Sequence, residues 1–281
     1  MKRALTALFA ALTLSALMTA PAAAILKGQP DFAHEYVGLL DDGNFACSGT
    51  LISPSVVITA AHCFSDPNYP SQYGFTADGA PIVEVTFAQG GFYDPDAVYH
   101  LGAYYWDPEF CMACAGGLAA FDTHDVAVVI LFDPVPTSEV GSYAALPELG
   151  LVDTLPNQTP IDIVGYGDQH FAVGGGPCFD ADGNHVPCTP SPDASFTRMI
   201  ATGQLVQSND VISDTFIKIN AAKGGSCFGD SGGPDFLGGT NVILAVNSFV
   251  SNGGCNGVTY SYRIDTASAL NFIDSVIATH G

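Results

Sequence analysis

From Ile25 onward, apolar residues come in short runs or alternate with polar ones, and Gly, Pro, Asn or Asp interrupts nearly every run. Tyr36–Leu40, Val56–Thr59, Ile82–Phe87, Val126–Leu131, Ile161–Val164, Phe216–Ile219 and Val242–Val250 are examples. Runs this short between such breakers predict strands, because a helix needs a longer stretch with apolar positions every three to four residues. The 31 glycines and 18 prolines supply the turns. One stretch near the C-terminus differs. There Leu270, Ile273, Val276 and Ile277 fall on one helical face, and Asp265 or Thr266 stands where an N-cap belongs. The pattern predicts an all-β protein closed by a helix, with no internal repeat of fixed period and no low-complexity linker.

Two segments interrupt the strand pattern and are expected to be surface insertions. Phe110–Thr123 carries Cys111 and Cys114 among small residues, and Gly167–Asp193 carries Cys178 and Cys188. The second contains Asp180-Ala181-Asp182-Gly183-Asn184, similar to the start of a calcium loop. It lacks the downstream glutamate and flanking helices of an EF-hand, so a turn rich in Asp and Gly is the expectation.

Composition sets the setting. The chain has 281 residues, 48% of them hydrophobic, enough for a sizeable core. Asp and Glu outnumber Lys and Arg by 28 to 7, giving a formal charge of −21. That balance excludes nucleic acid and anionic membrane as expected partners, since both need basic surface. Residues 1–24 read as a secretory signal: Lys2 and Arg3, an apolar run from Ala4 to Leu17, then the small residues Ala22-Ala23-Ala24. The apolar run is short for a membrane-spanning helix. The mature part, residues 25–281, is expected as one exported domain and as a monomer, extracellular or periplasmic. All eight cysteines lie beyond the signal, an even count that in an exported chain reads as four disulfides. Cys111-x-x-Cys114 alone, with no second such pair, is weak grounds for a redox or zinc site. No metal or cofactor is expected.

The candidate chemistry lies in three places. Gly229-Asp230-Ser231-Gly232-Gly233-Pro234 sets one serine among glycines, and a serine hydroxyl needs a neighbouring base that is itself oriented by a third group. Thr59-Ala60-Ala61-His62-Cys63 puts a histidine at the end of an apolar run. Thr123-His124-Asp125-Val126-Ala127-Val128 puts an aspartate at the mouth of another. His124 and Asp122 are near alternatives for the orienter, and Asp125 is preferred because it directly precedes the buried run. The three chemical types then occur in the order His, Asp, Ser.

Through T-A-A-H-C, D-V-A-V-V and G-D-S-G-G-P the chain resembles the chymotrypsin/trypsin family of serine endopeptidases, apart from the signal and the two insertions. The resemblance implies two packed six-stranded antiparallel Greek-key barrels with the active site between them. It implies protein or peptide substrates, with proteinaceous inhibitors as possible partners. Residue by residue, it implies Ser231 as nucleophile, His62 as base and Asp125 as orienter, with the N–H groups of Gly229 and Ser231 as oxyanion hole. It also implies a Cys47–Cys63 and a Cys227–Cys255 disulfide. Ile161 and Leu237 stand where another family bridge would sit, so two apolar side chains are expected to pack there. The other four cysteines allow three pairings, of which Cys111–Cys114 with Cys178–Cys188 is the local choice. Ile25-Leu26-Lys27-Gly28 resembles the new N-terminus of activated members, whose amine pairs with the aspartate before the serine, here Asp230. Since Ile25 directly follows Ala24, signal cleavage alone would release it, with little or no zymogen stage.

The family's pocket floor maps to Gly225, beside Ser226, without the aspartate that selects Arg or Lys. Phe228, Ser248, Phe249, Val250 and Gly257 map to its walls, and Ser248-Phe249-Val250 with its continuation is similar to elastases. Cleavage after small-to-medium apolar residues is expected, with aromatic residues as the alternative. Two rivals differ in kind. Gly229-x-Ser231-x-Gly233, followed by Asp265 and His280, matches the nucleophile elbow and residue order of α/β-hydrolase esterases, but no strand–elbow–helix or βαβ alternation surrounds it. A catalytically silent binding relative is the other, although all three triad types are present.

Overall fold

The computed structural model describes residue 25 and residues 27–111, 122–167, 196–206, 213–251, 255 and 257–281. Residues 1–24, expected as a signal, and Asp180–Asn184, Cys114, Cys178 and Cys188 lie outside the described residues. After a two-residue strand β1 (Gln29–Pro30), six strands form a closed antiparallel barrel: β2 (Val37–Asp41), β3 (Ala46–Ser53), β4 (Val56–Thr59), β5 (Ile82–Thr86), β6 (Tyr99–Trp106) and β7 (Ala127–Leu131). Two one-turn helices, α1 (Thr137–Val140) and α2 (Leu151–Thr154), follow. A second ring contains β8 (Pro160–Gly165), β9 (Met199–Leu205), β10 (Phe216–Asn220), β11 (Pro234–Leu237), β12 (Ile243–Val250) and β13 (Val258–Arg263), and β1 adds to the side of β9. Around each ring the strands run first, second, third, sixth, fifth, fourth, and the β8–β9 and β8–β11 pairings close the second. The two Greek-key barrels expected from the sequence are therefore the fold.

The predicted strands sit within about a residue of the observed ones, a shift typical of strand ends. β4 and β7 are buried at every position and pair with each other through Val56↔Ile130 to Thr59↔Ala127, which explains their unbroken apolar runs. Ile161 and Leu237 face each other across the β8–β11 pair, as expected for the absent bridge. The barrels are held together by buried polar groups as well as by apolar contact. Arg198, wholly enclosed, donates to the Phe87 carbonyl of the first barrel at 2.9 Å and to the Tyr166 hydroxyl of the second at 3.0 Å.

The terminal helix α3 spans Ala267–His280. Thr266 is its cap, its side chain accepting from the Ala269 N–H, while Asp265 is buried and bound to Arg263 and the Val152 N–H. Ala269, Ile273 and Val276 are buried, with Leu270 and Ile277 half-buried beside them. Cys47–Cys63 and Cys227–Cys255 are bonded as the resemblance implies. Cys111 is also in a disulfide.

Candidate active site

His62 and Asp125 both enter from the first barrel. β4 ends at Thr59, and the Tyr104 hydroxyl lies 2.8 Å from the carbonyls of both Ala60 and Ala61, which fixes the loop carrying His62. Asp125, with no exposed surface, precedes β7. One carboxylate oxygen accepts the His62 backbone N–H at 2.9 Å, and the other accepts from Nδ1 at 2.9 Å. Ser248, from β12 of the second barrel, donates its hydroxyl to that same oxygen. With Nδ1 taken as a donor, Nε2 is the ring nitrogen left to act as a base. Burial pulls the His62 pKa down, but the Asp125 charge and hydrogen bond outweigh it and hold it above 6.5. Burial works to raise the Asp125 pKa, and the charge and hydrogen bonds of His62, with the Ser248 hydroxyl, override this and keep it below 3.8. The alternative orienters pair elsewhere: Asp122 accepts from the Tyr262 hydroxyl, and His124 meets Asp107 and Glu109. The last three place potential ligand atoms within 4.8 Å of one another.

Ser231 lies on the loop entering β11, half-buried, and shares two adjoining cavities with His62. The glycines around it make room for close neighbours from both barrels. A Cβ on Gly232 (φ +75°) would stand 2.1 Å from Thr59 Oγ1, and one on Gly233 would stand 2.6 Å from the Val164 carbonyl. The loop is held by bonds from Ser48 N–H to the Ser231 carbonyl (2.8 Å), Gly232 N–H to Asn247 (2.8 Å) and Gly233 N–H to Asp230 (2.9 Å). Asp230 is fully buried, and its carboxylate accepts the Gly167 and Cys227 N–H groups, each at 2.8 Å. Ile25 is equally enclosed, packed in the core of the second barrel with Ile161 and Ile163.

One cavity, of about 400 Å³, is walled by Ser226, Cys227, Phe228, Asn247, Ser248, Phe249 and Val250. The other, of about 720 Å³, runs on the far side of Ser231 past Gly229, Phe45, Phe92 and Phe196. Gly225 lies outside the first wall, where a Cβ would meet Ala221 at 2.2 Å, and Gly257 faces open space at φ +97°. Sequence reading missed Asn247, Ser48 and Thr59. Asn247 was within reach as the neighbour of Ser248, but Ser48 meets Gly229, Ser231 and Tyr166 only where the barrels dock, and Thr59 is bonded to Ser48 across β3 and β4.

A two-barrel fold whose His–Asp pair shares a cavity with a glycine-cradled serine has the architecture of the chymotrypsin-type serine hydrolases. Residues 25–273 match the Trypsin family, and the chain belongs to that family of serine endopeptidases. It is 28% identical over 243 residues to human chymotrypsin-like elastase family member 3A, covering 83% of this chain and 79% of the relative. It is 28% identical over 256 residues to bovine proproteinase E, covering 85% and 87%. Among solved structures, HL collagenase superposes with a TM-score of 0.65 at 19% identity, covering 92% of this chain and all of the other, a likeness of fold.

Proposed function

We propose that the mature chain, residues 25–281, is an exported endopeptidase using Ser231, His62 and Asp125 as its catalytic triad. The observation that carries this is the His62–Asp125 pair opening onto a cavity that also contains Ser231. Ser231 Oγ attacks the scissile carbonyl while His62 Nε2 takes its proton, and the negative charge passes to the carbonyl oxygen. The Gly229 and Ser231 N–H groups receive that oxyanion, each worth about 3 kcal/mol of barrier lowering. Collapse of the tetrahedral species breaks the C–N bond, His62 gives the proton to the leaving amine, and water repeats the sequence on the acyl-enzyme. Asp125 stays ionised and holds the imidazolium.

None of the described residues that wall the approximately 400 Å³ cavity is a carboxylate, and Phe249 and Val250 line it. This supports cleavage after small-to-medium apolar residues, and the relatives named elastases agree with it. The enclosed position of Ile25, in the same barrel as the buried Asp230, supports an amine freed by signal cleavage and paired with that carboxylate.

Labelling by a serine phosphonate, abolished in Ser231→Ala, together with hydrolysis of peptide amides, tests the triad against an esterase or a silent scaffold. Cleavage-site profiling is expected to place Ala or Val before the cut. Efficient cleavage after Arg would sink the pocket assignment, and a preference for Phe or Tyr would revise it. Mass spectrometry of the exported protein is expected to find Ile25 first; a start at Pro21 would mean a short pro-segment instead.

A further inference from the structure

Ser48 lies on β3, fully buried, and each of its polar atoms is committed. Its N–H donates to the Ser231 carbonyl at 2.8 Å. Its hydroxyl donates to the Gly229 carbonyl at 2.9 Å and accepts the Tyr166 N–H at 3.0 Å. Its own carbonyl accepts from Thr59 Oγ1 at 2.8 Å, at the end of the strand leading to His62. One first-barrel residue thus touches the nucleophile, the glycine two before it, the strand before the base, and the second-barrel segment under the serine loop. We infer that Ser48 is a positioning residue for the oxyanion hole: its hydroxyl fixes the peptide after Gly229 and, through it, where the Gly229 N–H points. The inference rests on the roles proposed for Ser231 and Gly229.

The need for such a hold comes from the glycine. Gly229 sits at φ +93° with no side chain to restrict it, so the peptides on either side can turn at little steric cost. Three successive carbonyls there are held: Gly229 by the Ser48 hydroxyl, Asp230 by the Gly233 N–H, and Ser231 by the Ser48 N–H. The first is the bond a point substitution removes, since the other two are backbone. The same hydroxyl anchors Tyr166, whose neighbour Gly167 donates to Asp230, so the loop and the segment beneath it share one fixed point. A mispointed N–H costs most when charge develops on the carbonyl oxygen, so the loss belongs to the transition state rather than to substrate binding.

Ser48→Ala and Ser48→Thr, each normalised by phosphonate titration of active sites, test this. For Ser48→Ala we expect kcat on a peptide amide to fall about tenfold with KM within about twofold of wild type. Inhibition by a peptidyl trifluoromethyl ketone, whose adduct places an oxyanion in the hole, should weaken by the same factor. Ser48→Thr, which restores the hydroxyl, should recover most of both. An unchanged kcat, or a kcat loss without a matching loss of ketone affinity, overturns the inference. If Ser48→Ala does not fold, Ser48→Gly carries the same measurements. If neither folds while Ser48→Thr is normal, Ser48 serves the fold and the inference fails. A wild type that neither cleaves amides nor labels at Ser231 removes the catalytic reading, and this inference with it.

Discussion

At the scale of single residues, the proposed role of His62 as base makes it the residue that sets the pH behaviour. Only neutral imidazole can accept the serine proton, and Asp125 holds the His62 pKa above 6.5. The acid limb of kcat/KM should therefore fall above pH 6.5, read from a pH–rate profile. Stability runs the other way. A raised histidine pKa strengthens folding below the unfolded value, and that share is lost as pH climbs through the folded value. Asp125→Asn should leave the fold intact and lower kcat by about 10⁴-fold, because the imidazole then loses the acceptor that selects its tautomer. Gly232→Ala is expected to cost more than about 2 kcal/mol in thermal unfolding, since alanine would be strained at φ +75° and would strike Thr59. The three triad types were legible in the sequence because each sits in a short motif. Ser48 was not, because its hydroxyl partner Gly229 is 181 residues away.

At the scale of elements, strands with unbroken apolar runs were readable and glycine-bearing ones were harder. β6 and β9 carry Gly102 and Gly203, which read as breakers but mark close approach: a Cβ there would stand 2.6 Å from Val129 and 2.4 Å from Ile219. The cap of α3 remained a choice between two residues, resolved by Arg263 taking Asp265. Thr266→Ala should cost about 1 kcal/mol of stability, measured by chemical denaturation. β11 holds a less ordinary residue, Asp235, wholly enclosed within the second barrel. Burial pushes its pKa up to about 7, against a lowering by the Ser261 hydroxyl and with a further rise from the Asp230 charge. Between its usual 3.8 and about 7 the folded chain keeps a proton that the unfolded chain releases, so rising pH removes stability across that window. Asp235→Asn should be more stable than wild type at pH 8, by on the order of 4 kcal/mol in chemical denaturation, and converge with it near pH 4.

At the scale of the whole molecule, a formal charge of −21 should draw basic peptides toward the cleft at low salt, an advantage in kcat/KM that fades as salt screens it. The paired barrels followed from motif resemblance more than from hydrophobic pattern, since alternation specifies strands but not how two rings of them dock. That docking is where the proposed chemistry resides. His62 and Asp125 belong to one barrel, and Ser231 and Ser248 to the other, with the Ser248–Asp125 bond crossing the seam. Turnover is then a strain gauge on the joint. A small parting of the halves would disconnect base from nucleophile while each barrel kept its hydrogen-bonded ladder. In a urea titration the rate should fail at a lower concentration than the far-ultraviolet signal, and the gap between the two midpoints would weigh the grip of one half on the other.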